Sequence, residues 1–181
     1  MATTRPPLPG SVVGAAVVLL VLGLLTGLVA AVLLLSGSLY DQVPNSAFGN
    51  LTDDQIRQVR DFSREIGVGF GVVAGLVALG HLGAGVGIFR RATWARVLGM
   101  VLAGLGIVLT GLMSVAFLIA VSGGLPVTTV TNSGLTPEQM EQAMRIGAIF
   151  GLVVFGASLL GYLFTLVALI RNGRFFGQHV G

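Results

Sequence analysis

The feature that most constrains this chain is a set of four long runs without a single charged side chain. They cover roughly residues 12–35, 66–89, 97–121 and 146–170, and none holds an Asp, Glu, Lys or Arg. A helix needs about 20 apolar residues to cross the hydrocarbon core of a bilayer. In that medium every backbone N–H and C=O must be satisfied inside the protein, and a helix does so within its own segment. The expected class is an all-α membrane protein: a four-transmembrane-helix bundle forming one integral membrane domain over residues 1–181.

Composition points the same way. Of the 181 residues 54% are hydrophobic and 9% charged, whereas a soluble domain carries about 25% charged residues. Glycine is abundant, at 28, which favours close contacts between helices. Cysteine is absent, so disulfides, thiolate metal sites and thiol nucleophiles are excluded. Every basic residue is Arg. Arg suits phosphate headgroups, but GC-rich bacterial coding produces the same bias. The first run is about twice as long as a signal-peptide core of about 7–15 residues, and no A-x-A site closes it. It reads as a retained span.

Orientation follows from the charges beside the spans. Arg5, Arg90, Arg91, Arg96, Arg171 and Arg174 fall on one side, with no acid among them. Asp41, Asp53, Asp54, Asp61, Glu65, Glu138 and Glu141 fall on the other, with Arg57, Arg60, Arg64 and Arg145. Both termini and the short 90–96 turn are therefore expected in the cytoplasm, with outer loops at 36–65 and 122–145. The formal charge of +3 is a topology signal rather than a nucleic-acid footprint. Its natural partners are the bilayer and anionic lipid headgroups on the cytoplasmic side.

The outer segments repeat a phrase. NLTDDQ at 50–55 and GLTPEQ at 134–139 each read as a capping box, with Thr52 and Gln55, then Thr136 and Gln139, in the reciprocal roles. Pro137 suits the first helical position, and Asp53, Asp54 and Glu138 suit a helix N-terminus. Echoes follow at 66–70 (IGVGF) and 146–150 (IGAIF), and each copy ends at an arginine, Arg91 and Arg171. The pattern predicts two parallel-repeated helical hairpins, related by an axis along the membrane normal. From Asp53 to Arg91 the second helix would run about 58 Å, well beyond the roughly 30 Å core, so it extends on the outer side. On that projection Ile56, Val59, Phe62 and Ile66 share a face, and Asp53/Arg57 and Asp61/Arg64 lie within pairing distance. Packing against the chain's own outer loops is the plain expectation; a docking face for another protein is the other.

His81, in ALGHLGAG, is the intramembrane candidate for a functional side chain, since ionisable residues inside a membrane are costly. No carboxylate lies in any span to partner it, so the plainer role is an interhelical hydrogen bond worth about 0.6 kcal/mol. Gly23 and Gly27, Gly67, Gly71 and Gly75, and Gly83 and Gly87 form small-xxx-small rows that bring helices together. Trp94, with Arg90, Arg91 and Arg96 around it, reads as an interface anchor. Asn50-Leu51-Thr52 is a sequon, but Thr52 already has its capping role. His179 reads as solvated.

No Ser–His–acid set, protected acid pair, metal-ligand spacing or cofactor motif is present, so an enzyme is not expected. The segment GVGIFRRATWARVLGMVLAGLGIV, with the LTxxQ helix starts, resembles small four-span membrane proteins of actinobacteria, of the domain-of-unknown-function type. The resemblance covers the length and hydropathy of the whole chain, with R-x-x-W-A-R as its motif. It implies the bacterial plasma membrane and carries over no catalytic or binding residue. Tetraspanins and claudins need extracellular cysteines, and small multidrug transporters need a membrane-embedded glutamate; neither is here. The expected function is an interaction, accessory or structural component of the membrane, with a membrane-protein partner or a second copy. The alternative is a small oligomeric transporter or channel with His81 in its pathway. A lipid-handling or enzymatic role would need a polar cavity at one interface.

Overall fold

The computed structural model describes residues 7–40, 42–48, 51–122 and 137–176. They form four long helices: α1 (Gly10–Tyr40), α2 (Asp53–Phe89), α3 (Thr93–Val121) and α4 (Pro137–Arg171). Short 3-10 turns occur at Asn45–Phe48 and Gly173–Phe175. Each long helix has the length and apolar character to cross a membrane.

The helix ends follow from local chemistry. Helix α1 begins after Pro9, whose carbonyl accepts from Val12 N and Val13 N (2.9 and 3.1 Å). It continues past Leu35 to Tyr40, further than the apolar run alone suggests. Ser36 is accommodated there because its hydroxyl donates to Leu33 O (2.6 Å). Helix α2 starts with Thr52 N donating to Gln55 Oε1 (2.9 Å) and Gln55 N donating to Thr52 Oγ1 (3.3 Å). The matching start of α4 cannot be traced in the same way, since Thr136 lies outside the described residues, while Gln139 sits exposed in the first turn.

Helix α2 ends in a Schellman motif. Ala92 N donates to Gly87 O and Arg91 N to Ile88 O, both at 2.9 Å, while Arg91 takes the left-handed conformation, φ 58°. That position usually belongs to glycine. Ala92 then serves directly as the N-cap of α3, with no side-chain cap.

The contacts divide into two compact units, one within Met1–Val18 and Ala84–Gly181, the other Leu19–Gly83. In the second unit α1 and α2 run antiparallel through small residues. A Cβ on Gly71 would stand 2.7 Å from Leu34 Cγ, one on Gly23 would stand 3.1 Å from His81 Cβ, and Gly27 faces Ala78. In the first unit α3 and α4 pair antiparallel. Tyr162 lies over Gly106, Phe117 over Gly151, and Phe117 stacks on Phe155 with centroids 5.4 Å apart. The start of α1 joins this unit through Gly14 against Phe164 and Val18 against Gly161.

Small side chains are buried in both units, Ala30 and Ala78 in the second, and many large ones turn outward, although Val12, Leu19, Ile88 and Leu169 are fully buried. Ala15, Ala16, Ala84, Ala95 and Ala103 are fully buried, whereas Leu24, Leu28, Leu76, Leu112 and Phe150 are each exposed by more than 60%. A water-soluble core sorts them the other way.

Candidate functional site

Three places collect the polar and charged side chains. The first is His81, in the Leu19–Gly83 unit and 2% exposed. Its Nδ1 stands 2.8 Å from Val77 O. A carbonyl only accepts, so this nitrogen carries a proton. This bond lies within α2, one turn back, and Gly23 of α1 admits the histidine's Cβ closely. The imidazole is thus held against its own helix and a neighbouring backbone.

The second place is the outer start of α2. Arg60 Nη2 donates to Val43 O (2.5 Å) and Asn45 Oδ1 (3.1 Å), and Asn45 Nδ2 donates to Asp53 Oδ1 (3.2 Å). Asp53 and Arg60 therefore hold the loop that precedes their helix, where the sequence suggested pairs along the helix surface. Of the face formed by Ile56, Val59, Phe62 and Ile66, Ile56 is buried and the other three are exposed. A shallow depression of about 580 Å³ lies along Asp61, Arg64, Glu65, Val68 and Gly69; among the described residues its lining comes from one helix.

The third place is the arginine-rich end of the unit containing α3 and α4. Arg96 Nε donates to Leu169 O (3.0 Å), and its guanidinium lies 5.9 Å from the Phe176 ring centroid. Arg174 lies 5.2 Å over Phe175. Arg90 is exposed, and Arg91 forms the helix-ending turn. Trp94 is mostly exposed, with its ring edge against Gly87. Asn172 Nδ2 donates to Ser11 Oγ (3.1 Å) and to Ala168 O (2.8 Å), joining the first turn of α1 to the end of α4. Beside that joint is a groove of about 520 Å³ lined by Ser11, Phe164, Val167, Ala168, Arg171 and Asn172. His179 and Arg5 lie outside the described residues.

Sequence reasoning singled out none of Ser11, Asn172, Tyr162 or Thr165. Thr165 is fully buried and Tyr162 nearly so. The available signal was spacing: Ser158, Tyr162, Thr165 and Asn172 fall at steps of four, three and seven residues, a polar stripe on one face of an otherwise apolar helix. No protein-family model, curated protein or solved structure matches this chain.

Proposed function

We propose that this chain is a multi-pass protein of the bacterial plasma membrane, an interaction or accessory component akin to the small four-span actinobacterial proteins it resembles. In this reading both termini and the 90–96 turn are cytoplasmic, and the arginines beside them meet anionic headgroups. One observation carries the membrane assignment: glycines and alanines recur where helices touch, while many leucines, valines and phenylalanines along all four helices face outward. That sorting suits lipid on the outside and close backbone approach within.

The polar groups inside the apolar segments favour packing over conduction. His81 bonds to Val77 O, Thr110 to Gly106 O (2.6 Å), Ser114 to Thr110 O (2.7 Å) and Ser158 to Val154 O (2.8 Å). Each of these four bonds returns to the backbone of its own helix. Two parallel-repeated hairpins are supported by matched contacts. Gly71 takes Leu34 of α1, and Gly151, 80 residues on, takes Phe117 of α3.

The test is affinity purification from native membranes into lipid discs, with quantitative mass spectrometry of what is retained. A stoichiometric second protein supports an accessory subunit and names its process. Recovery of the chain with lipid alone overturns that reading and directs attention to solute and proton flux.

A further inference from the structure

The groove between the first turn of α1 and the last turns of α4 combines two halves of different character. Ser11, Arg171 and Asn172 line one part, and Phe164, Val167 and Ala168 line the other. We propose that this groove binds one anionic phospholipid, with its phosphate at Ser11 and Arg171 and an acyl chain along Phe164 and Val167. The proposal rests on the membrane reading above and gives the headgroup partner a specific seat.

Charge selects the headgroup. This end of the unit carries Arg90, Arg91, Arg96, Arg171 and Arg174, and no Asp or Glu lies among the described residues there. Arg96 is held by Leu169 O and Arg174 lies over Phe175. Arg171 is exposed and lines the groove, so its fork of donors is placed for a phosphate.

The last turn of a helix normally presents carbonyl oxygens that repel an anion. Here two of them are occupied. Ala168 O accepts from the Asn172 side chain and backbone (2.8 and 3.2 Å), and Leu169 O accepts from Arg96. Asn172 also donates to Ser11 Oγ, which fixes the serine oxygen as an acceptor and leaves its O–H to donate into the groove. The volume, about 520 Å³, falls within the roughly 300–1,000 Å³ of ordinary ligand sites. The apolar wall gives the site a direction that a free anion would not use.

The experiment is native mass spectrometry of the full chain in a neutral detergent, titrated with phosphatidylglycerol or phosphatidylcholine of identical acyl chains. One phosphatidylglycerol should bind at least about tenfold more tightly than phosphatidylcholine, the scale of a charge-assisted contact. Arg171→Gln should bring it to the phosphatidylcholine level. Arg174→Gln removes the same charge from the same end, and should leave the preference intact. Val167→Trp should weaken both lipids with helicity unchanged. The proposal is overturned if the two lipids bind wild type alike, or if Arg174→Gln weakens binding as much as Arg171→Gln. Displacement of the lipid by inorganic phosphate overturns it too, in favour of a free-anion site. A chain that stays dispersed without detergent and fails to float with vesicles overturns the membrane reading itself, before any lipid is added.

Discussion

Tyr162 on α4 lies flat against the backbone of Gly106 on α3, so closely that a Cβ on the glycine would stand 2.5 Å from the ring. Tyr162 is nearly buried, and its ring is ringed by neighbours rather than free to swing away. Gly106→Ala should therefore push α3 from α4. The alanine gains about 1 kcal/mol in helix propensity, while overpacking a tight contact costs about 1–3 kcal/mol. The expected net is a loss of stability, read by thermal or detergent unfolding of the purified chain. Gly104→Ala, which meets open space two residues away, should be neutral or stabilising. Equal gains in both variants would show that the ring yields.

Arg91 occupies the left-handed position of the α2–α3 turn, φ 58°. A side chain there costs about 1–2 kcal/mol relative to glycine. Arg91→Gly should stabilise the folded chain by about 1 kcal/mol, since the Ala92–Gly87 and Arg91–Ile88 bonds are backbone bonds that survive the change. On the proposed orientation it also removes one cytoplasmic positive charge. Insertion assays should therefore show equal or slightly poorer orientation beside greater stability. A loss of stability would mean that the arginine side chain holds the turn.

Thr165 Oγ1 is buried and has no hydrogen-bond partner among the described residues. A buried hydroxyl without a partner costs about 1–3 kcal/mol in desolvation. Thr165→Val keeps the branched shape and removes that cost, so stability should stay level or rise by about 1 kcal/mol. A loss of more than about 1 kcal/mol would identify the hydroxyl as a working donor.

The four helices were legible in the sequence because uncharged length decides them: only a helix satisfies twenty-odd consecutive peptide groups within one segment. The start of α2 was legible because T-D-D-Q is a local device whose two bonds lie within one turn. Contacts between helices were legible only in part: the Gly23/Gly27 and Gly67/Gly71/Gly75 rows marked the α1–α2 contact, but not which residues meet across it. Asn172 and Ser11 are 161 residues apart, and nothing local to either announces the other. The loop partners of Arg60 were missed for a related reason. Helical spacing paired Asp53 with Arg57 and Asp61 with Arg64 and left Arg60 unassigned, because the carbonyl and amide acceptors at Val43 and Asn45 carry no charge signal. The groove depends on which two helix ends meet, a tertiary fact that hydropathy does not encode.

His81→Leu separates the packing reading from the conduction reading. The imidazole is 2% exposed and bonds to Val77 O, a carbonyl that the helix ladder also serves. Removing Nδ1 therefore leaves Val77 O with its ladder bond, and leucine presents a Cβ to Gly23 just as histidine does. A hydrogen bond inside a membrane bundle is worth about 0.6 kcal/mol, so the variant should assemble with nearly unchanged unfolding. If the imidazole is a packing element, reconstituted vesicles should show the same proton and solute permeability for wild type and variant. Assembly preserved with a wild-type flux abolished would move His81 into a transport pathway and displace the accessory role. Failure to assemble would make the histidine a structural requirement, and His81→Gln, which can still donate to Val77 O, should then restore the fold.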